Sequence, residues 1–245
     1  MDRWGRFGLV STISLVGSFA GACAGGAIDD RPAIAGEVVA APGATGEGFR
    51  DVSRAVDGVR GAGEREQSLN VFSLGLREGE DDYLVLGFGG RRLTDGPGAD
   101  LAVFENPFVH PGGVFVDPIV VAVSADGERW AELPHDYRGS QERASYDPAD
   151  WEGFAGRTPV LLNEDTHPVD PFDSARAGGD AFDLADLGND PASEAVRSEG
   201  ARYVRLTAAA TQIDPDTGAR YPLDPISDGP DIDGVYGRWL IAGSP

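Results

Sequence analysis

Val121-Ala122-Val123-Ser124-Ala125-Asp126-Gly127-Glu128-Arg129-Trp130 reads as two β-strands joined by a tight turn. An apolar run reaches Ser124, and a second one closes at Leu133. Between them, the Asp-Gly pair accepts the positive φ angles of a two-residue hairpin turn. The same grammar recurs along the chain. Arg202-Tyr203-Val204-Arg205-Leu206 alternates, which sets Tyr203 with Arg205 on one face and Val204 with Leu206 on the other. Short apolar runs bounded by Gly, Pro and Asp predict strands over 69–74, 83–88, 101–105, 119–124, 129–133, 203–208 and 235–241. Pro215-Asp216-Thr217-Gly218 predicts a second hairpin turn, and residues 134–162 read as a long polar excursion over one end. Helical periodicity is hard to find after the N-terminal segment. The expected fold is an all-β, antiparallel β-sandwich with long loops.

Composition agrees and narrows the partners. Thirty-five Gly and 17 Pro favour turns over long helices, and a 41% hydrophobic share supplies a core. Against 41 acidic residues stand 20 basic ones, all of them Arg, giving a net charge of −21. Nucleic acid is therefore not an expected partner, because phosphate binding needs clustered cations. An anionic bilayer surface would repel the domain, whereas divalent cations or cationic partners suit it. The plain alternative is that the acid keeps the protein soluble. A single cysteine forbids an intrachain disulfide.

That cysteine is well placed. Arg3 and Arg6 precede an uncharged apolar stretch, Phe7 to Ala20, and Gly21-Ala22-Cys23 closes it. The layout is that of a secretory signal, with an apolar run short for a membrane span. Cys23 falls where a lipobox would put it. The resemblance to bacterial lipoproteins implies cleavage before Cys23, diacylglycerol on its sulfur and, with Ala24 following, an outer-membrane or cell-surface location. The alternative is an ordinary signal peptide cut nearby, for example after Ala27. The expected organisation is a signal peptide over 1–22, a Gly/Ala/Pro-rich flexible tether over 23–48 and one sandwich domain over 49–245. The lipid would then be the chain's one tie to the membrane.

Three acidic, turn-forming segments are candidates for chemistry: Asp95-Gly96-Pro97-Gly98-Ala99-Asp100, Asp180-Ala181-Phe182-Asp183-Leu184-Ala185-Asp186 and Asp228-Gly229-Pro230-Asp231-Ile232-Asp233. Ca²⁺ takes six to eight oxygen ligands, and Gly-rich turns let carbonyls converge. Asp95, Asp100, Asp231 and Asp233 would form such a site if their loops met at one end of the sandwich, with Asp180 as a further ligand. Asp and Gly are equally what ordinary turns require, so both readings stand.

Gly87-Phe88-Gly89-Gly90, the Asp95–Asp100 segment, Val103-Phe104-Glu105-Asn106, Val123-Ser124-Ala125-Asp126-Gly127 and Gly178-Gly179-Asp180-Ala181-Phe182-Asp183-Leu184 follow in one order. In this the chain resembles a family of bacterial cell-surface lipoproteins with a discoidin-like, galactose-binding jelly-roll domain. The likeness runs from about Phe72 to Ile241. It implies a jelly roll with binding loops at one end. Members tend to carry Phe-Asp-Leu-Asp before the last strand, where this chain has Asp231-Ile232-Asp233-Gly234.

No catalytic signature accompanies these motifs: Gly-x-Ser-x-Gly, His-Glu-x-x-His and a P-loop are all missing. The expected function is a lipid-anchored surface module that binds a carbohydrate or an envelope or extracellular protein, with a structural Ca²⁺ as a further expectation. Two alternatives remain, an envelope-interaction lipoprotein without a small-molecule site and, further off, a polysaccharide hydrolase. Tyr137, Tyr146 and Trp151 are the candidates for stacking on sugar rings, against satellite packing beneath their loop. Trp130 and Trp239 read as core.

Overall fold

The computed structural model describes residues 27–42, 48–76 and 82–243. The signal peptide and Cys23 lie outside the described residues. Nine strands carry the architecture: β1 (Ala33–Ile34), β2 (Glu37–Ala40), β3 (Tyr83–Gly87), β4 (Leu101–Phe104), β5 (Ile119–Ser124), β6 (Ala131–Glu132), β7 (Asp180–Phe182), β8 (Tyr203–Ala208) and β9 (Gly234–Gly237). They form a four-stranded sheet, β1-β9-β4-β7, and a five-stranded sheet, β6-β5-β8-β3-β2, with every pairing antiparallel. The fold is an all-β antiparallel sandwich, as expected. No helix among the described residues is long and apolar enough to cross a membrane.

The alternation in β8 does what the sequence pattern requires. Val204 and Leu206 enter the core, joined there by Leu84, Leu86, Val121 and Val123 from the same sheet and by Leu101, Val103 and Val235 from the other. Each such aliphatic contributes roughly 1.5–3 kcal/mol by leaving water. By contrast, β4 and β5 are buried along their whole length. Both faces are covered, which is why these strands read as continuous apolar runs. Ala102 and Phe104 of β4 point away from the main core into a second cluster with Val59, Val160 and Leu162. Val120 of β5 points into a third, made by Tyr137, Trp151, Phe154 and Tyr221.

Three expectations are corrected. Part of the supposed tether belongs to the sandwich: β1 pairs with β9 and β2 with β3, so one short segment closes an edge of each sheet. Val38, apolar and sited among Gly and Pro, packs against the main core and supplies the reason. The β5–β6 hairpin exists, but residues 125–130 form its connection and the second strand is shorter than 129–133. Gly127 alone takes a positive φ, +84°. The Asp126 carboxylate organises the loop, with Oδ1 accepting from the Glu128 and Arg129 amides, each at 2.9 Å. Finally, a helix spans Pro191–Glu199. Its signals were the punctuation: Asp190 caps the Ala192 and Ser193 amides, Pro191 opens the first turn and Gly200 ends it.

Candidate functional site

The five aspartates expected to share a calcium ion do not meet at one end. β4 separates them. Asp100 precedes this strand and Asp233 lies beyond its far end, where the Asp233 amide donates to the Phe104 carbonyl at 2.9 Å. Asp95 and Asp100 are joined instead by Asp183, with one oxygen from each within 4.8 Å of the others. Both Asp100 oxygens are already engaged, Oδ1 by the Gly96 amide at 2.9 Å and Oδ2 by the Leu184 amide at 2.7 Å. Burial, resisted by these amides, pushes the Asp100 carboxyl up to about 6. This group knits the 94–100 loop to the 183–186 turn.

Asp180 is buried beside β4 and accepts from the Arg157 amide at 2.8 Å and the Thr158 hydroxyl at 2.9 Å. Asp233 is buried as well. Its Oδ1 takes the Arg60 amide at 2.9 Å, and burial pushes its carboxyl up to about 7. Each of these two is a structural tie between segments remote in sequence.

Asp231 has different company, which the sequence did not suggest. Its amide donates to Glu105 Oε1 at 2.9 Å. Glu105 is only 3% exposed, and its Oε2 has no hydrogen-bond partner among the described residues. Asp117 and Asp231, the two carboxylates acting most strongly on it, line a cavity of about 230 Å³ together with Ser73, Ser227, Asp228 and Phe115. Burial raises all three carboxyls, Glu105 well above the usual range and Asp117 to about 7, and their mutual repulsion adds to this. The groups acting most strongly on them are carboxylates, hydroxyls and amides, none an arginine.

The expected stacking residues are corrected too. Trp151 is fully buried and Tyr137 nearly so, their ring centroids 4.0 Å apart, with Phe154 and Tyr221 packed edge-on. The Trp151 indole N–H donates to the Ser145 carbonyl at 3.0 Å, so even its polar handle is consumed. Tyr146 is half-buried, its hydroxyl donating to Asp224 at 2.6 Å and its ring meeting His110 edge-on. The excursion is a satellite core that covers one end of the five-stranded sheet.

The other end of that sheet is open. Tyr203 and Arg205 of β8 and Tyr83 and Val85 of β3 stand on the face opposite the main core, Tyr203 opposite Gly87 and Tyr83 opposite Thr207. They line a groove of about 540 Å³ with Val39, Trp130 and the 126–128 loop. Trp130, read from sequence as core, is half-exposed here with the Arg205 guanidinium 4.6 Å above its ring. Trp239, also read as core, lies between strands in a left-handed conformation, φ +61°, against Gly96. Tyr83 and Tyr203 are four residues apart along paired strands, a run of about 13 Å.

The chain matches no protein-family model, no curated protein and no solved structure.

Proposed function

We propose that this chain is an exported, lipid-anchored binding module that takes carbohydrate on the open face of its five-stranded sheet. The observation that carries the reading is the groove between Tyr83, Trp130 and Tyr203. The satellite cluster covers one end of this face, and the other end presents half-exposed aromatic rings beside Arg205, Asp126 and Glu128. Rings offer apolar surface to the C–H faces of a sugar, and flanking charged groups fix its hydroxyls. The resemblance to surface lipoproteins with a galactose-binding-like jelly roll agrees with this use. No catalytic motif is needed for it.

The export and anchoring half of the proposal rests on Arg3, Arg6, the Phe7–Ala20 run and Cys23. The first described pairing after Cys23 joins Asp29 to Leu240. Six residues of chain reach at most about 20 Å, so a lipid on Cys23 would hold that end of the sandwich close to the bilayer. The test has two arms. Mass spectrometry of the native N-terminus should find acylated Cys23, and Cys23→Ser should move the protein from the detergent to the aqueous phase. Binding to immobilised envelope and plant polysaccharides should be saturable and lost in Tyr203→Ala. An unacylated native protein sinks the anchor. Binding that is absent, or unchanged in Tyr203→Ala, sinks the carbohydrate groove and favours an envelope-interaction protein.

A further inference from the structure

We infer that Glu105, Asp117 and Asp231 form a divalent-cation site, of the hard, all-oxygen kind that suits Ca²⁺, beside the cavity that Asp117 and Asp231 line beyond the end of β4. This goes beyond the sugar-binding reading and concerns a different part of the molecule. Taking an unpaired carboxylate out of water costs several kcal/mol, and proteins offset that with a counter-ion or a proton. Among the described residues, the groups acting most strongly on Glu105 are Asp117, Asp231 and backbone amides, none of them a cation. A proton on Glu105 would remove its charge, but Asp117 would still face the repulsion of Asp231, Asp224 and Asp228. A cation satisfies Oε2 and relieves the repulsion at once.

The surroundings fit an ion that enters from solvent. Asp117 and Asp231 are half-buried on the cavity wall, so a hydrated ion reaches them before Glu105, which is buried and does not line the cavity. Gly156, at φ +85°, keeps side-chain atoms away from Glu105: a Cβ there would stand 3.4 Å from Oε2 and 2.5 Å from the Asp117 carbonyl oxygen. Backbone carbonyls and carboxylates together are the donor set that Ca²⁺ takes. The three carboxylates do not gather as tightly as the Asp95 group, whose oxygens lie within 4.8 Å of one another. The Asp95 group differs in that each oxygen of its buried member already holds an amide, whereas Glu105 Oε2 holds none.

The test is calorimetric titration of the purified full chain, stripped with EGTA, with calcium chloride, alongside melting curves with and without Ca²⁺. The expected result is one ion bound and a higher Tm. Glu105→Gln should weaken binding roughly tenfold or more, since affinity follows ligand charge. Its Tm without metal is read alongside, because the Gln oxygen can still take the Asp231 amide while the new N–H donors are buried. Asp117→Asn, on the accessible wall, gives the same reading if Glu105→Gln perturbs the fold. Asp183→Asn should bind as the parent does. No calcium binding by the parent chain, unchanged binding in both Glu105→Gln and Asp117→Asn, or loss of binding in Asp183→Asn overturns the inference.

Discussion

Asp100 and Glu105 flank the same buried strand, yet the fold treats their carboxylates in opposite ways. Asp100 has an amide on each oxygen, from Gly96 and from Leu184, and so acts as a clasp between two loops. Glu105 has the Asp231 amide on one oxygen and nothing on the other. One acid is spent on architecture. The other keeps one oxygen without a hydrogen-bond partner among the described residues.

The clasp makes a stability prediction. Asp100→Ala strips the acceptor from the buried Leu184 amide as well as from Gly96. An unsatisfied buried donor costs roughly 1–3 kcal/mol, and the two loops would also part. Chemical denaturation should show a loss of at least that order. A variant as stable as the parent would show that the 183–186 turn does not depend on Asp100.

Its titration makes a second. Asp100 is pushed up to about 6 by burial, with Asp183 and Asp95 adding repulsion against the two amides. Because the folded pKa lies above the unfolded one, the stability this group contributes is full below pH ~4 and is lost as pH rises through about 6. Asp183 caps the Ala185 amide at 2.8 Å, and Asn is an equally good cap. Asp183→Asn should therefore keep the turn, lower the Asp100 midpoint and flatten the fall in Tm between pH 4 and 8. Parallel curves for the two proteins would contradict this.

The satellite core makes a third. Trp151→Ala should cost about 3–5 kcal/mol, as removal of a fully buried large aromatic does. The loss reflects packing with Tyr137, Phe154 and Tyr221 rather than a sugar site. Thermal melts of Trp151→Ala and Trp130→Ala separate the two roles. The first should melt far lower and the second close to the parent. A Trp151→Ala variant of near-parent Tm would return Trp151 to the list of surface candidates.

The sandwich was legible because strands write their faces into neighbouring residues: Tyr203 and Arg205 out, Val204 and Leu206 in. The unbroken runs at 101–104 and 119–124 announced burial on both sides. Turn chemistry located the hairpins but not their lengths, since Ser124 and Asp126 organise a longer loop than the Asp-Gly pair alone implies. The site was harder to see. Which acids meet is decided by the pairing of β4 with β9 and β7, strands far away in sequence, and no local pattern carries that register. Glu105 stood in a motif without suggesting that its neighbours would be Asp117 and Asp231. The tryptophans exchanged roles for the same reason. Trp151 sits in a polar stretch that folds back on its own aromatics, and Trp130 stands just before β6 but lies on the sheet's open face.

The most direct measurement of the sugar-binding reading is an NMR titration of the folded chain with envelope and plant polysaccharide fragments, following side-chain signals. Saturable shifts at the Trp130 indole, the Tyr83 and Tyr203 rings and the Arg205 guanidinium, with Trp151 unmoved, are what the groove predicts. Shifts confined to the cleft beside His135 and Arg157, or none with any fragment, would contradict it.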